Sequence, residues 1–145
     1  MPKNSLISLL CGLIAILAVI ASLGGIFSKA GEGSVQHTTF RGETITLYGR
    51  GLYRDMPQEV APQGIAQDFV TLFIAVPMLI ITLFWSRSGS LRARLMLLGV
   101  IGYLMLTYMF YLTMGMYNSF FLIYIALAGL TFHTFVIAIV TIDPS

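Results

Sequence analysis

The sequence predicts an all-α integral membrane protein, a bundle of four transmembrane helices with a short β-hairpin in its outer first loop. Three observations carry this. Of the 145 residues, 57% are apolar and only 10% are charged, and the mean hydropathy is +0.89; a soluble domain carries about 25% charged residues. The charges are gathered into short intervals, which leaves four apolar runs of about 20 residues, enough for a helix to cross about 30 Å of hydrocarbon. None of the runs alternates as a barrel strand would. A lone segment in lipid must pair its own backbone groups, and a helix does so.

The first run spans residues 5–27. Lys3 ahead of it and Val19-Ile20-Ala21 within it resemble a secretory leader with a weak cleavage site, but the run is longer than a leader core and reads as a retained helix. In lipid, helices associate through close approach and polar contacts. Cys11, Ala15, Ala18, Ser22 and Gly25 make one stripe of small residues suited to that. Cys11 is the single cysteine, which excludes an internal disulfide and a cysteine-based metal site.

The polar segment 28–65 follows. Thr44-Ile45-Thr46-Leu47-Tyr48 alternates with period two and predicts a strand. Thr38-Thr39-Phe40 is its expected partner, with Arg41-Gly42-Glu43 as the turn, in a hairpin over about 36–48. Gly49 and Gly51 permit sharp bends before Leu52-Tyr53, and Pro57, Pro62 and Gly64 lead back to the membrane.

The second span is predicted over 66–85, with Asp68, Thr71, Ala75, Met78 and Thr82 on one face and a kink at Pro77. "SRSGSLRAR" then concentrates Arg87, Arg92 and Arg94 without an acid, and Lys3 lies on the same side. Loops dense in Lys and Arg remain cytoplasmic. Both termini are therefore expected inside a prokaryotic cytoplasmic membrane, with loop 28–65 outside. The third span, 95–116, repeats Gly99, Tyr103, Thr107, Tyr111 and Gly115 every four residues. The fourth, 120–142, places Ala126, Gly129 and His133 on a shared face, so His133 is expected to point into the bundle.

His133 is the candidate for chemistry because it interrupts an apolar run. Near the middle of a span it needs a donor and an acceptor, and Tyr103, Thr107 and Tyr111 of the third span are the expected partners. The simplest reading is a hydrogen-bonded interior histidine. The functional readings are a proton or ligand site, with Asp68 as the other intramembrane acid, or a contact to a quinone, pigment or lipid lying against Phe110, Phe120, Phe121 and Tyr124. Asp68 also has a structural reading, as charge compensation in the first turn of a helix. Two bound histidines on one haem are excluded because His37 lies in the outer loop.

A net charge of +2 without a basic aromatic patch argues against nucleic acid. No GxSxG, HExxH, P-loop or GxGxxG motif is present. Catalytic residues and metal ligands are not expected, nor is a cofactor beyond a bound lipid, quinone or pigment. The expectation is a non-catalytic accessory or scaffolding subunit of a larger membrane complex, with the bilayer and other subunits or further copies as partners. Arg50, Tyr53 and Arg54 are the expected outer contacts. The alternatives are a small transporter or sensor built on His133, and a quinone-, pigment- or lipid-binding subunit.

The stretches "RGET" at 41–44, "YGRGLYRD" at 48–55, "DFVTL" at 68–72, "GSLRARL" at 89–95 and "YN" at 117–118 together resemble a loosely defined group of uncharacterised bacterial and archaeal multi-pass membrane proteins. The resemblance covers most of the chain from Thr39 onward and implies a membrane fold but no activity. Members of that group continue past the position of Asp143, so it also implies a short member or a partner that supplies further helices. Layout is similar to claudin-type four-helix proteins as well, with Gly51-Leu52-Tyr53 standing for their loop motif, although the paired loop cysteines are absent.

Overall fold

The computed structural model describes residues 3–142, with side chains from residue 5 onward. The Lys3 side chain and Asp143-Pro144-Ser145, which the sequence reading used, lie outside the described residues. The chain is 69% helical. Its elements are α1 (Lys3–Phe27), β1 (Val35–Thr38), β2 (Thr44–Leu47), a 3-10 turn (Gly51–Tyr53), α2 (Ala61–Ser86), α3 (Leu91–Thr113) and α4 (Phe121–Val140). All four helices are long and apolar enough to cross a membrane. They form a ring in which α1 packs on α2, α2 on α3, α3 on α4, and α4 closes back on α1.

The small-residue stripe of α1 meets its neighbours as expected. Cys11, Ala18, Ser22 and Gly25 are buried, and Ile14 and Ala21 fill the gaps between them. In α2, Asp68, Thr71, Ala75 and Thr82 are buried, but Met78 turns outward and Leu79 takes its place in the seam. The disturbance has a local cause. Thr71–Ala75 form one π-helical turn, closed by Val76 N–H donating to the Thr71 carbonyl, directly before Pro77. Proline lacks an N–H and crowds the preceding turn, and the wide turn accommodates both.

The hairpin forms, with its first strand displaced by two residues from the expected pairing. Val35 pairs with Leu47 and Thr38 with Thr44, so β1 ends where Thr38-Thr39-Phe40 was expected to run. Thr39 N–H donates to the Glu43 carbonyl (2.8 Å), and Gly42 sits at φ 83°. Phe40 is thereby placed at the tip of a short loop, 96% exposed, instead of in a strand.

Two ends of the molecule are now distinguished. Arg87 reaches Ser8 of α1 (3.3 Å) at the end that carries Arg92 and Arg94. The opposite end carries the hairpin, the 3-10 turn and the connection between α3 and α4, tied by Asn118 Nδ2 donating to the Leu52 carbonyl (3.0 Å). The outward surfaces of all four helices are studded with large apolar side chains, among them Ile16, Phe73, Ile81, Leu106 and Phe132.

Candidate functional site

The "YGRGLYRD" stretch is a folded device that delivers one side chain. Gly49 (φ 68°) and Gly51 (φ 58°) bracket an extended Arg50, and a Cβ on Gly51 would stand 1.9 Å from the Ser28 carbonyl oxygen. Gly51 N–H donates to the Ala30 carbonyl (2.7 Å) and Leu52 N–H to Ser28 Oγ (2.9 Å). These bonds hold the turn against the end of α1 and aim Tyr53 into the bundle. Its ring enters a slot between two glycines. A Cβ on Gly64 of α2 would lie 2.4 Å from one ring edge, and one on Gly25 of α1 would lie 3.2 Å from the other. Only residues without a side chain leave room for a phenol there.

At the end of the slot stands Asp68, 2% exposed. Tyr53 donates its hydroxyl to Oδ2 (2.5 Å), and Tyr111 of α3 lies 3.1 Å from Oδ1. The Tyr111 hydroxyl is also 3.1 Å from the Gly64 carbonyl and 3.2 Å from the Tyr53 hydroxyl. Tyr108 and Tyr124 complete an aromatic ring around the carboxyl, with Tyr111 edge-on to both at 5.8 and 5.2 Å between centroids. The Ser22 and Tyr124 hydroxyls face Tyr108 and Asn118 respectively but reach no partner at close hydrogen-bond geometry. Burial, followed by the neighbouring Tyr111 and Asp68, pushes the Tyr53 phenol far above its ordinary value, so Tyr53 stays protonated.

One helical turn along the same α2–α3 seam, Gln67 donates to the Tyr103 hydroxyl and to Thr107 Oγ1 (3.2 Å). Thr107 spends its own hydrogen on the Tyr103 carbonyl (3.0 Å), which leaves its oxygen to accept and fixes the direction of the Gln67 amide. The Tyr103 hydroxyl accepts from Gln67 and keeps its hydrogen for whatever faces it. What faces it is a groove of about 310 Å³. Gln67, Tyr103, Thr107, Tyr111 and Tyr53 line one part of the groove and Met56, Leu106, Phe110, Met114 and Met116 another, and among the described residues no charged side chain borders it.

Several sequence-based expectations need correction. His133 does not point into the bundle. It is exposed on the outer face of α4, with Ala126, while Tyr124, Leu127, Ala128, Thr131, Thr134 and Ala138 form the buried face. The threonines act as small apolar residues because their hydroxyls bond back to their own helix, Thr131 to the Leu127 carbonyl and Thr134 to the Leu130 carbonyl. His133 is served in the same way, its Nδ1–H donating to the Gly129 carbonyl (2.7 Å). It therefore has no contact with Tyr103, Thr107 or Tyr111, whose hydroxyls serve α2 and the outer turn. Tyr53, expected to meet a partner outside, is 1% exposed and belongs to the interior. Arg50 and Arg54 are exposed, Arg54 pairing with Asp55 (3.3 Å). Of the aromatics expected to line a groove, Phe110 does so; Phe120 packs on Gly24 and Phe121 on Tyr117.

No protein-family model, curated protein or solved structure matches this chain.

Proposed function

We propose that this chain is an integral membrane protein that binds an uncharged amphiphile in the groove between α2 and α3 and performs no catalytic step of its own. The observation that carries this is the groove's lining: hydroxyl and amide groups on one side, methionine, leucine and phenylalanine on the other, and no ionic group among the described residues that line it. Such a surface suits a head bearing carbonyl or hydroxyl oxygens on an apolar body, as in quinones and neutral lipids. Among the described residues it has no cation to pair with a phosphate. The unspent Tyr103 hydrogen provides a donor for a head-group oxygen.

Membrane insertion is supported by the apolar outward faces of the four helices. The cluster of Arg87, Arg92 and Arg94 supports an orientation with the α2–α3 connection in the cytoplasm and the hairpin end outside. Extraction of the full chain in mild detergent followed by native mass spectrometry tests the binding. A neutral lipid or quinone should remain on the wild type. Tyr103→Phe removes one neutral hydrogen bond, about 0.5–1.5 kcal/mol, and should weaken its retention by about 2- to 13-fold. Retention of anionic phospholipid alone, or of nothing, defeats this reading.

A second reading, that of an accessory subunit in a larger complex, is favoured by the hairpin. Every residue of β1 is exposed, and Phe40 at the tip is almost wholly bare beside Arg41. With Arg50 and Arg54 nearby in sequence, this surface fits a protein partner on the outer side. Phe40→Ser should weaken co-purification of larger subunits, and unchanged stoichiometry rules the reading out.

A further inference from the structure

Asp68 presents an accounting problem that the groove does not answer. Its carboxyl is almost fully buried, and the groups bonded to it are neutral. The titratable groups that face it are all phenols: Tyr53 from the 3-10 turn, Tyr111 and Tyr108 from α3, and Tyr124 from α4. Helix α1 contributes only the backbone at Gly25, where a Cβ would stand 1.7 Å from Oδ2. Among the described residues no cation forms an ion pair with it. A buried carboxyl in such surroundings needs hydrogen bonds that fit whichever form it holds.

The geometry fits both forms. As a carboxylate, Asp68 receives the Tyr53 hydrogen on Oδ2 and the Tyr111 hydrogen on Oδ1. As an acid protonated on Oδ1, it donates to the Tyr111 oxygen. The Tyr111 hydrogen then turns to the Gly64 carbonyl, which stands ready at 3.1 Å, while Tyr53 continues to donate to Oδ2. Every hydrogen finds an acceptor in each form, and no heavy atom has to move.

We propose that Asp68 is a reversible proton-binding site at the outer end of the bundle, with Tyr111 as the group that passes the proton. Tyr111 and Gly64 both border the groove, which is the route by which water would reach the hydroxyl. A hydronium gives one proton to the Tyr111 oxygen as the original Tyr111 hydrogen moves to Oδ1. Hydronium becomes water, the phenol is regenerated and the carboxylate becomes the acid, which takes the site from one negative charge to none. Release runs the same steps in reverse.

The test is infrared difference spectroscopy of the full-length, ligand-free chain in phospholipid nanodiscs, equilibrated along a pH series. Lowering the pH should produce a protonated-carboxyl carbonyl band that is missing in Asp68→Asn; the exposed carboxyls appear in both proteins and cancel. Because the acid's carbonyl is Oδ2, Tyr53→Phe should move that band to higher frequency, which a purely structural role for Asp68 would not do. If Asp68→Asn does not fold, carbon-13 aspartate labelling of the wild type and of Tyr53→Phe assigns the band instead. The proposal is overturned if no Asp68 band appears at any pH at which the protein remains folded. It is equally overturned if the band is present and constant throughout.

Discussion

Replacing Tyr53 by phenylalanine removes one oxygen and leaves the ring in its slot between Gly25 and Gly64. The change therefore falls on the bond to Asp68 Oδ2. At 2.5 Å it sits at the short end for O–H···O bonds, and at 2% exposure of Asp68 no water is at hand to replace the lost donor. A bond to an ionised group contributes about 1.5–3 kcal/mol and a neutral one about 0.5–1.5 kcal/mol. A loss of about 2–3 kcal/mol is expected when Asp68 is ionised, and about half that when it is protonated. The assay is reversible unfolding in mixed micelles of mild and denaturing detergent, followed by circular dichroism. The decisive comparison is the same substitution in an Asp68→Ala background. There the hydroxyl has already lost its short bond and keeps only the 3.2 Å contact with Tyr111, so the cost should fall to about 0.5 kcal/mol or less. An equal cost in both backgrounds would refute the reasoning, because it would place the contribution of the Tyr53 hydroxyl in its contact with Tyr111 and not in the bond to Asp68.

Three further outcomes follow from the geometry. Gly25→Ala drives a methyl group into Asp68 Oδ2 and should destabilise by about 1–3 kcal/mol, whereas Gly12→Ala, with nothing within 4 Å, should stabilise by about 0.5–1 kcal/mol in the same unfolding assay. His133→Ala should change stability by no more than about 0.5 kcal/mol, since the ring is exposed and bonded only to its own helix; a large loss would return this histidine to the interior. The raised Tyr53 value means that the folded chain keeps a proton that the unfolded chain releases above about pH 10. That contribution is whole below about pH 10 and declines as pH climbs toward the folded value, so Tyr53→Phe should make the alkaline loss of stability shallower by about 1.4 kcal/mol per pH unit.

The helices were legible because length and apolarity are properties of a segment alone. Which side of a helix faces inward was legible for α1, whose small residues leave little choice, and illegible for α4. There a histidine reads as the polar residue in need of burial, yet a bond to the carbonyl four residues back satisfies it at the surface, while two threonines hide their hydroxyls in the same way and fill the seam. The site was half visible. Asp68, Tyr103, Thr107 and Tyr111 stand out in sequence, but they were gathered around the wrong residue. Tyr53 was noticed as a loop residue and read as facing outward. Its burial depends on Gly25 and Gly64, two absences of a side chain on different helices, and periodicity within either helix does not reveal a slot between them. Nothing in the sequence singles out Gln67; its position next to Tyr103 follows from the packing of α2 on α3.

The phenol between the two glycines has a consequence for how the chain matures. Tyr53 lies in a segment that, in the proposed orientation, must be exported across the bilayer before it turns back to meet a carboxyl contributed by the following span. Its slot is walled by α1 and α2, and its hydroxyl partners include α3. The insertion of this one ring thus reports that three helices have been brought together. A chain assembled with a helix misplaced would leave that ring without its slot and the carboxyl beneath it without its donor.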